Sequence, residues 1–302
     1  VDASTTVIPS YYTHPDGYHA MMRWYQAALA RLTVPYDSIH VETRFGPTHV
    51  LLAGPIQAPP VLLIHGINVN ALGWKRQITQ LASDYRIIAP DVVGFAGRSA
   101  PIRLPYHNDD YALWIADLLD ALGIDRVVLV GSSAGGFFVL KFGAVFPDRT
   151  RALALINPCG LARYPYPLDW ARHPIITRLI GDLARPFATI HTARRLVRAS
   201  ASPQAPLMPE TIHLAYLLLK YFRRYPPPGK LPDRQLQAIR APVLLLLGEF
   251  EPYFRPETLI RSAQQALDDL RVQVIPNAGH DIHNDQAETV SGHLRDFIRT
   301  LR

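Results

Sequence analysis

Five consecutive residues carry the strongest chemical signal in this chain: Gly131-Ser132-Ser133-Ala134-Gly135. They stand where a buried-type run ending at Val130 gives way to a helical pattern. At such a junction a Gly-x-Ser-x-Gly turn is sharp and strained, and it holds its central hydroxyl exposed. Glycines flank it because side chains there would clash with the tight turn. The helix behind the turn brings free N–H groups and the positive end of its dipole. Ser133 is therefore the expected nucleophile; Ser132, one residue off the centre, is not. The same residues also fit a small-residue strand-to-helix turn without chemistry, and the strand–turn–helix context weighs against that reading.

A hydroxyl is a weak nucleophile and needs a base. Of twelve histidines, His280 is the best placed. It follows a strand pattern at 272–275, which puts it on the same sheet edge as Ser133. His283, three residues on, is the decoy, and His65 reads as a hydrogen-bonded structural group. A metal set of His280, Asp281 and His283 lacks His-Glu-x-x-His spacing and cysteines, so no metal is expected. The imidazole needs a carboxylate to fix its tautomer and stabilise its charged form. Glu249 and Glu251 both follow the strand pattern at 242–248, and either can serve. Glu249 stays beside the strand end, whereas Glu251 lies out in the loop and can turn toward the rim, so Glu251 is preferred. Asn157-Pro158-Cys159, after the preceding strand, offers no carboxylate. A developing oxyanion needs hydrogen-bond donors. The backbone N–H groups of Ala134 and of Ile67, in His65-Gly66-Ile67-Asn68, are the expected pair, with the Asn68 side chain as a further donor.

These residues need a sheet to hold them. Segments 39–45 and 48–54 read as a hairpin broken at Gly46-Pro47. Further strands are expected at 61–64, 85–93, 126–131 and 151–156, besides 242–248 and 272–275. Helices are expected at 72–81, 109–122, 134–146, 256–267 and 286–301. Runs such as Val61-Leu62-Leu63-Ile64 and Val127-Val128-Leu129-Val130 do not alternate with polar residues. Both their faces are buried, as in a parallel sheet covered by helices on each side. The order predicts an α/β fold: a mostly parallel, doubly wound sheet opened by an antiparallel N-terminal hairpin.

The expected core is 1–160 with 241–302. Residues 1–38 form an N-terminal arm that holds a helical pattern around 20–32. The stretch 161–240 has helical pattern, clearest at 211–222, and no convincing strand. It is too long for a loop. It reads as an inserted helical cap over the carboxyl edge of the sheet, where open α/β sheets bind ligands. Its aromatics, Tyr164, Tyr166, Trp170, Phe187, Tyr216, Tyr221 and Phe222, suggest an apolar pocket. Asn68 and Tyr216 are candidate pocket residues.

With 48% hydrophobic residues and a net charge of only +6, disorder is excluded. A single cysteine, Cys159, excludes a disulfide scaffold. Segment 161–240 holds thirteen Arg or Lys against four Asp or Glu, a net of +9, so the rest carries −3. No nucleic-acid motif accompanies this charge, and it reads as a solvated helical face. Nucleic acid is not an expected partner; no apolar run approaches the ~20 residues that cross a bilayer, and membrane contact is not expected, with docking of the basic cap on an anionic membrane as the alternative. The chain opens without a basic-then-apolar segment, so a cytoplasmic protein is expected, with a processed secreted form as the alternative. Monomer and homodimer both stay open.

Five segments stand in one family's order: His65-Gly66, Asp91-Val92-Val93-Gly94, Val130-Gly131-Ser132-Ser133-Ala134-Gly135-Gly136, Leu247-Gly248-Glu249-Phe250-Glu251 and Ala278-Gly279-His280. On them the chain resembles the α/β-hydrolase superfamily along nearly its whole length. Segments 41–50 and 244–251 are similar to bacterial carboxylesterases that hydrolyse arylpropionate esters, a group that tends to use Glu where most relatives have Asp. The resemblance implies an α/β-hydrolase fold, the triad order Ser133, Glu251, His280, and an acyl-enzyme route. An aspartate in the turn would instead imply an epoxide hydrolase or haloalkane dehalogenase. It further implies a serine carboxylesterase acting on small to medium esters, with no cofactor. Carbon–carbon bond hydrolysis, lactone hydrolysis, perhydrolysis and a non-catalytic relative are the alternatives. The resemblance is weak over 161–240, where a substrate would be chosen.

Overall fold

The computed structural model describes residues 8–165 and 173–301. It opens with α1 (Pro15–Leu29), whose first position is a proline and whose cap is the His14 ring, accepting the Asp16 N–H at 3.2 Å. Strands β1 (Tyr36–Thr43) and β2 (Gly46–Ala53) pair as an antiparallel hairpin, with Thr43 opposite Gly46. Gly46 has φ +91°, a backbone state that suits glycine. There follow β3 (Pro60–Ile64), a 3₁₀ turn (Ala71–Trp74), α2 (Lys75–Leu81), β4 (Arg86–Pro90), α3 (Asp110–Ala121), β5 (Val127–Ser132), α4 (Ala134–Val145) and β6 (Thr150–Ile156). After β6 come α5 (Pro174–Ala184), α6 (Ile190–Ser200), α7 (Pro209–Tyr221) and α8 (Asp233–Leu236). The chain then returns through β7 (Val243–Gly248), α9 (Pro256–Ala266), β8 (Leu270–Ile275), α10 (Ile282–Asp285) and α11 (Ala287–Arg299).

The sheet runs β1-β2-β4-β3-β5-β6-β7-β8. The β1–β2 and β2–β4 pairs are antiparallel and all others parallel. Alternate residues of the central strands feed opposite cores. Leu62, Ile64, Val127 and Leu129 pack with α3, α4 and α9, while Val61, Leu63, Val128 and Val130 pack with α1, α2 and α11. That two-sided burial explains why these strands are apolar throughout.

Several boundaries differ from the sequence expectation, each for a local reason. The strand expected at 85–93 stops at Pro90, because the next residue turns inward. The Asp91 carboxylate is fully buried, accepts the Ala71 and Arg98 N–H groups at 2.8 Å each, and pairs with His49 Nδ1 at 3.0 Å. The helix expected at 72–81 divides, since Asn70 Oδ1 caps a 3₁₀ turn at the Leu72 N–H before α2 begins. The last expected helix becomes α10 followed by α11. Strand β1 begins at Tyr36, inside the expected 1–38 arm. The arm's helix lies on the core: Tyr25 donates to Asp91 at 3.3 Å, and Trp24 Nε1 donates to the Glu210 carbonyl at 3.2 Å. Residues 1–7 of that arm lie outside the described residues, as do 166–172 of the expected cap, with Tyr166 and Trp170.

Candidate active site

Strand β5 delivers the turn. Ser133 has φ +54°, rare for a residue with a side chain and a sign of stored strain. The turn closes only with glycines: a Cβ on Gly131 would collide with the Gly135 carbonyl, and one on Gly135 with the Ile64 carbonyl. The Ser133 N–H donates to the Ile156 carbonyl at 2.9 Å, and its own carbonyl accepts from the Gly136 and Cys159 N–H groups at 3.0 and 2.8 Å. Ser132 remains in the strand and is buried.

Ala134 is the first residue of α4, so its N–H has no acceptor within the helix. The loop after β3 passes close by: a Cβ on Gly66 would lie 3.4 Å from Ser133 Cβ. His65 is a structural histidine. Its Nε2 accepts the Val92 N–H at 2.9 Å, so Nδ1 carries the proton and donates to the Gly66 carbonyl at 2.8 Å. Burial pulls its pKa below the ordinary value, against the attraction of Asp91. The Asn68 amide is engaged from both sides by the Tyr225 backbone, at 3.2 and 3.0 Å. Its geometry is that of a staple between this loop and the segment before β7, which uses Oδ1 and one of the two Nδ2 hydrogens. Tyr216, on α7, packs in the cluster that contains α1, with its hydroxyl accepting from Lys220 Nζ at 2.8 Å.

His280 and Glu251 are brought together. Nδ1 of His280 lies 2.6 Å from Glu251 Oε2, and the other carboxylate oxygen accepts the Tyr253 N–H at 2.8 Å. The carboxylate only accepts, so Nδ1 is the protonated nitrogen and Nε2 keeps its lone pair. Burial disfavours the imidazolium, yet the attraction and hydrogen bond of Glu251, helped by Asp281, outweigh it and raise the His280 pKa above the usual value. Glu249 does something else: it is exposed, and its Oε2 accepts the Asn277 N–H at 2.9 Å. The His283 ring packs on Trp74 at 4.6 Å, and burial pushes its pKa down to about 4. It is a neutral packing residue at ordinary pH. Among the described residues no group of His, Cys, Asp and Glu is arranged to hold a metal ion, and no helix is long and apolar enough to cross a membrane.

The sequence reading missed Asn157. Dismissed there for lacking a carboxylate, its amide reaches Gly279, His280 and Gly248. Neither spacing nor composition signals this, because the three partners come from two other strand ends.

Comparison with known proteins agrees with this architecture. The family model for the alpha/beta hydrolase fold matches residues 59–179. The uncharacterized carboxylesterase nap of Bacillus subtilis is 28% identical over 92% of this chain and 92% of its own length. Carboxylesterase YbfK of the same organism is 26% identical over 92% of this chain and 94% of its own. The crystal structure of naproxen esterase (carboxylesterase NP) from Bacillus subtilis superposes with a TM-score of 0.81, at 28% identity, over 94% of this chain and 99% of that one.

Proposed function

Since this chain is an α/β-hydrolase with carboxylesterases among its full-length relatives, we propose that it is a serine carboxylesterase hydrolysing small to medium carboxylic esters through an acyl-enzyme on Ser133. The observation that supports this most is the 2.6 Å bond between His280 Nδ1 and Glu251, on the same edge of the parallel sheet as a serine held at positive φ at the end of β5. With Nδ1 engaged, Nε2 of His280 is the base. It takes the Ser133 proton as Oγ attacks the ester carbonyl, and the N–H groups of Ala134 and Ile67 receive the developing oxyanion. The imidazolium then gives its proton to the leaving alkoxide, releasing the alcohol. Water, deprotonated by the same nitrogen, attacks the acyl-enzyme and frees the acid and Ser133. Glu251 steadies the imidazolium in both halves.

Segment 161–240 is proposed as the cap that selects the ester. In support, it touches both sides of the site: Tyr225 binds Asn68 beside the Ile67 loop, and the Ser200 carbonyl accepts the His280 N–H at 2.7 Å. The likeness to naproxen esterase puts arylpropionate esters among the first substrates to assay.

The test is a panel of p-nitrophenyl esters of rising chain length beside fluorophosphonate labelling. The wild-type protein should turn over and label. Ser133→Ala should lose the label and up to ~10⁶ in kcat, and His280→Ala about as much, because such residues act as a unit. Retained turnover in Ser133→Ala would sink the reading.

A further inference from the structure

Asn157 is the residue after β6, with φ +41°, and it is 1% exposed. Its side-chain amide is committed in three directions. Oδ1 accepts the Gly248 N–H at 2.9 Å, and Nδ2 donates to the Gly279 carbonyl at 3.0 Å and the His280 carbonyl at 2.8 Å. The amide orientation follows from its partners, since an N–H can only donate and a carbonyl can only accept. Both Nδ2 hydrogens are used.

Those two carbonyls belong to the two peptide planes that flank the His280 Cα. A peptide unit is planar, so gripping both carbonyls fixes the rotation of both planes, and with it the direction of the His280 Cα–Cβ bond. The Oδ1 contact fixes the end of β7 three residues before Glu251. The main chain around Asn157 meanwhile holds the serine: the Ile156 carbonyl accepts the Ser133 N–H, and the Cys159 N–H donates to the Ser133 carbonyl. Residues 156–159 thus grip Ser133 through backbone and His280 through one amide.

Resting on the Ser133–Glu251–His280 reading, we propose that Asn157 is a positioning residue that sets the His280 imidazole at its working distance from Ser133. It does not touch the reacting atoms. It acts by holding the backbone from which the base is launched, while its neighbours hold the nucleophile.

Among the described residues the other contacts of His280 act elsewhere: its N–H donates to the Ser200 carbonyl, in the helical segment between β6 and β7, and its ring meets Glu251 and, edge-on at 4.8 Å, Tyr253, while Asn157 holds the two carbonyls. A carboxylate at 157 would keep the Gly248 contact but face two carbonyls without a hydrogen to offer. A glycine would keep the positive φ and lose all three side-chain contacts.

The experiment measures kcat and KM for a p-nitrophenyl ester, per active site titrated with fluorophosphonate, in Asn157→Gly, Asn157→Asp, Ser133→Ala and His280→Ala. For Asn157→Gly the expected result is a folded protein by circular dichroism that still labels at Ser133, more slowly. Its kcat per labelled site should fall ~10- to 100-fold with KM within about threefold, the cost of a misplacement on the order of 1 Å. Asn157→Asp, isosteric with the native residue, should lose at least as much and carries the test if the glycine variant does not fold. A merely structural role would lower the melting temperature while leaving kcat per labelled site unchanged, and that outcome overturns the proposal. If Ser133→Ala or His280→Ala keeps turnover, the triad reading falls and takes this inference with it. If both abolish turnover while a folded Asn157 variant turns over like the wild type, this inference alone fails.

Discussion

The carboxyl rim of the sheet and the helices between β6 and β7 are built on opposite plans. At the rim, Ser133, Glu251 and His280 are each tied to at least one other strand end or loop, and Glu251 and Asn157 are buried. In the helical segment α5 has no buried residue at all, and Leu183 and Phe187 are 65% and 72% exposed. The rim spends its hydrogen bonds on fixed distances, which acyl transfer needs because a small misplacement costs rate steeply. The outward side chains of α5 carry few such constraints and can be exchanged without moving the strand ends. On the proposed function, chemistry belongs to the first region and choice of ester to the second.

The sharpest way to break that division is at the acid. Glu251→Gln should fold like the wild type and lose on the order of 10⁴ in kcat, because an amide can hold His280 in the wrong tautomer. Glu249→Gln should lose far less, its carboxylate being bonded to the Asn277 N–H. Steady-state kinetics on both variants decides it, and a larger loss at Glu249 would move the acid to that residue. A smaller effect is expected from exchanging 161–240 for the same segment of a relative. Each misplaced methylene is worth ~1–3 kcal/mol, so the preferred chain length should shift by graded factors of roughly 10–200 while Ser133 still labels. A folded chimera with an unchanged ester profile would return specificity to the core loops.

The mildest test is pH. On the proposed mechanism the active form of His280 is the free base, and, against the penalty of burial, the Glu251 carboxylate raises its pKa above the ordinary value. Activity is therefore low while the ring is protonated, and kcat/KM should climb about tenfold per pH unit and level off once pH passes a midpoint above 6.5. A profile that declined from pH 5 to 8 would contradict His280 as base.

Much of the rim was legible before any coordinates. The Gly131–Gly135 spacing announces a turn whose sterics are local, and the unalternating runs at β3 and β5 announce two-sided burial. Other readings stopped at a choice between neighbours. Glu249 and Glu251 both follow β7, and the sequence favours Glu251 only for lying farther out in the loop; the loop path turns Glu251 onto His280 and Glu249 onto Asn277. That Asn68 also staples its loop to Tyr225 is not legible, because its partner is 157 residues away.

The amino-acid sequence by itself determined the order of strands and helices, the serine-bearing turn and the stretch of chain from which a base and an acid must come. These depend on residue periodicity and on turn sterics that act within a few residues. Only the tertiary structure decided which carboxylate meets which imidazole nitrogen, that His283 is a packing residue on Trp74, and that Asn157 joins three strand ends. Those contacts form between residues far apart in the chain. They exist only once the parallel sheet has brought the ends of β5, β6, β7 and β8 to one edge, and no local pattern encodes the distances across it.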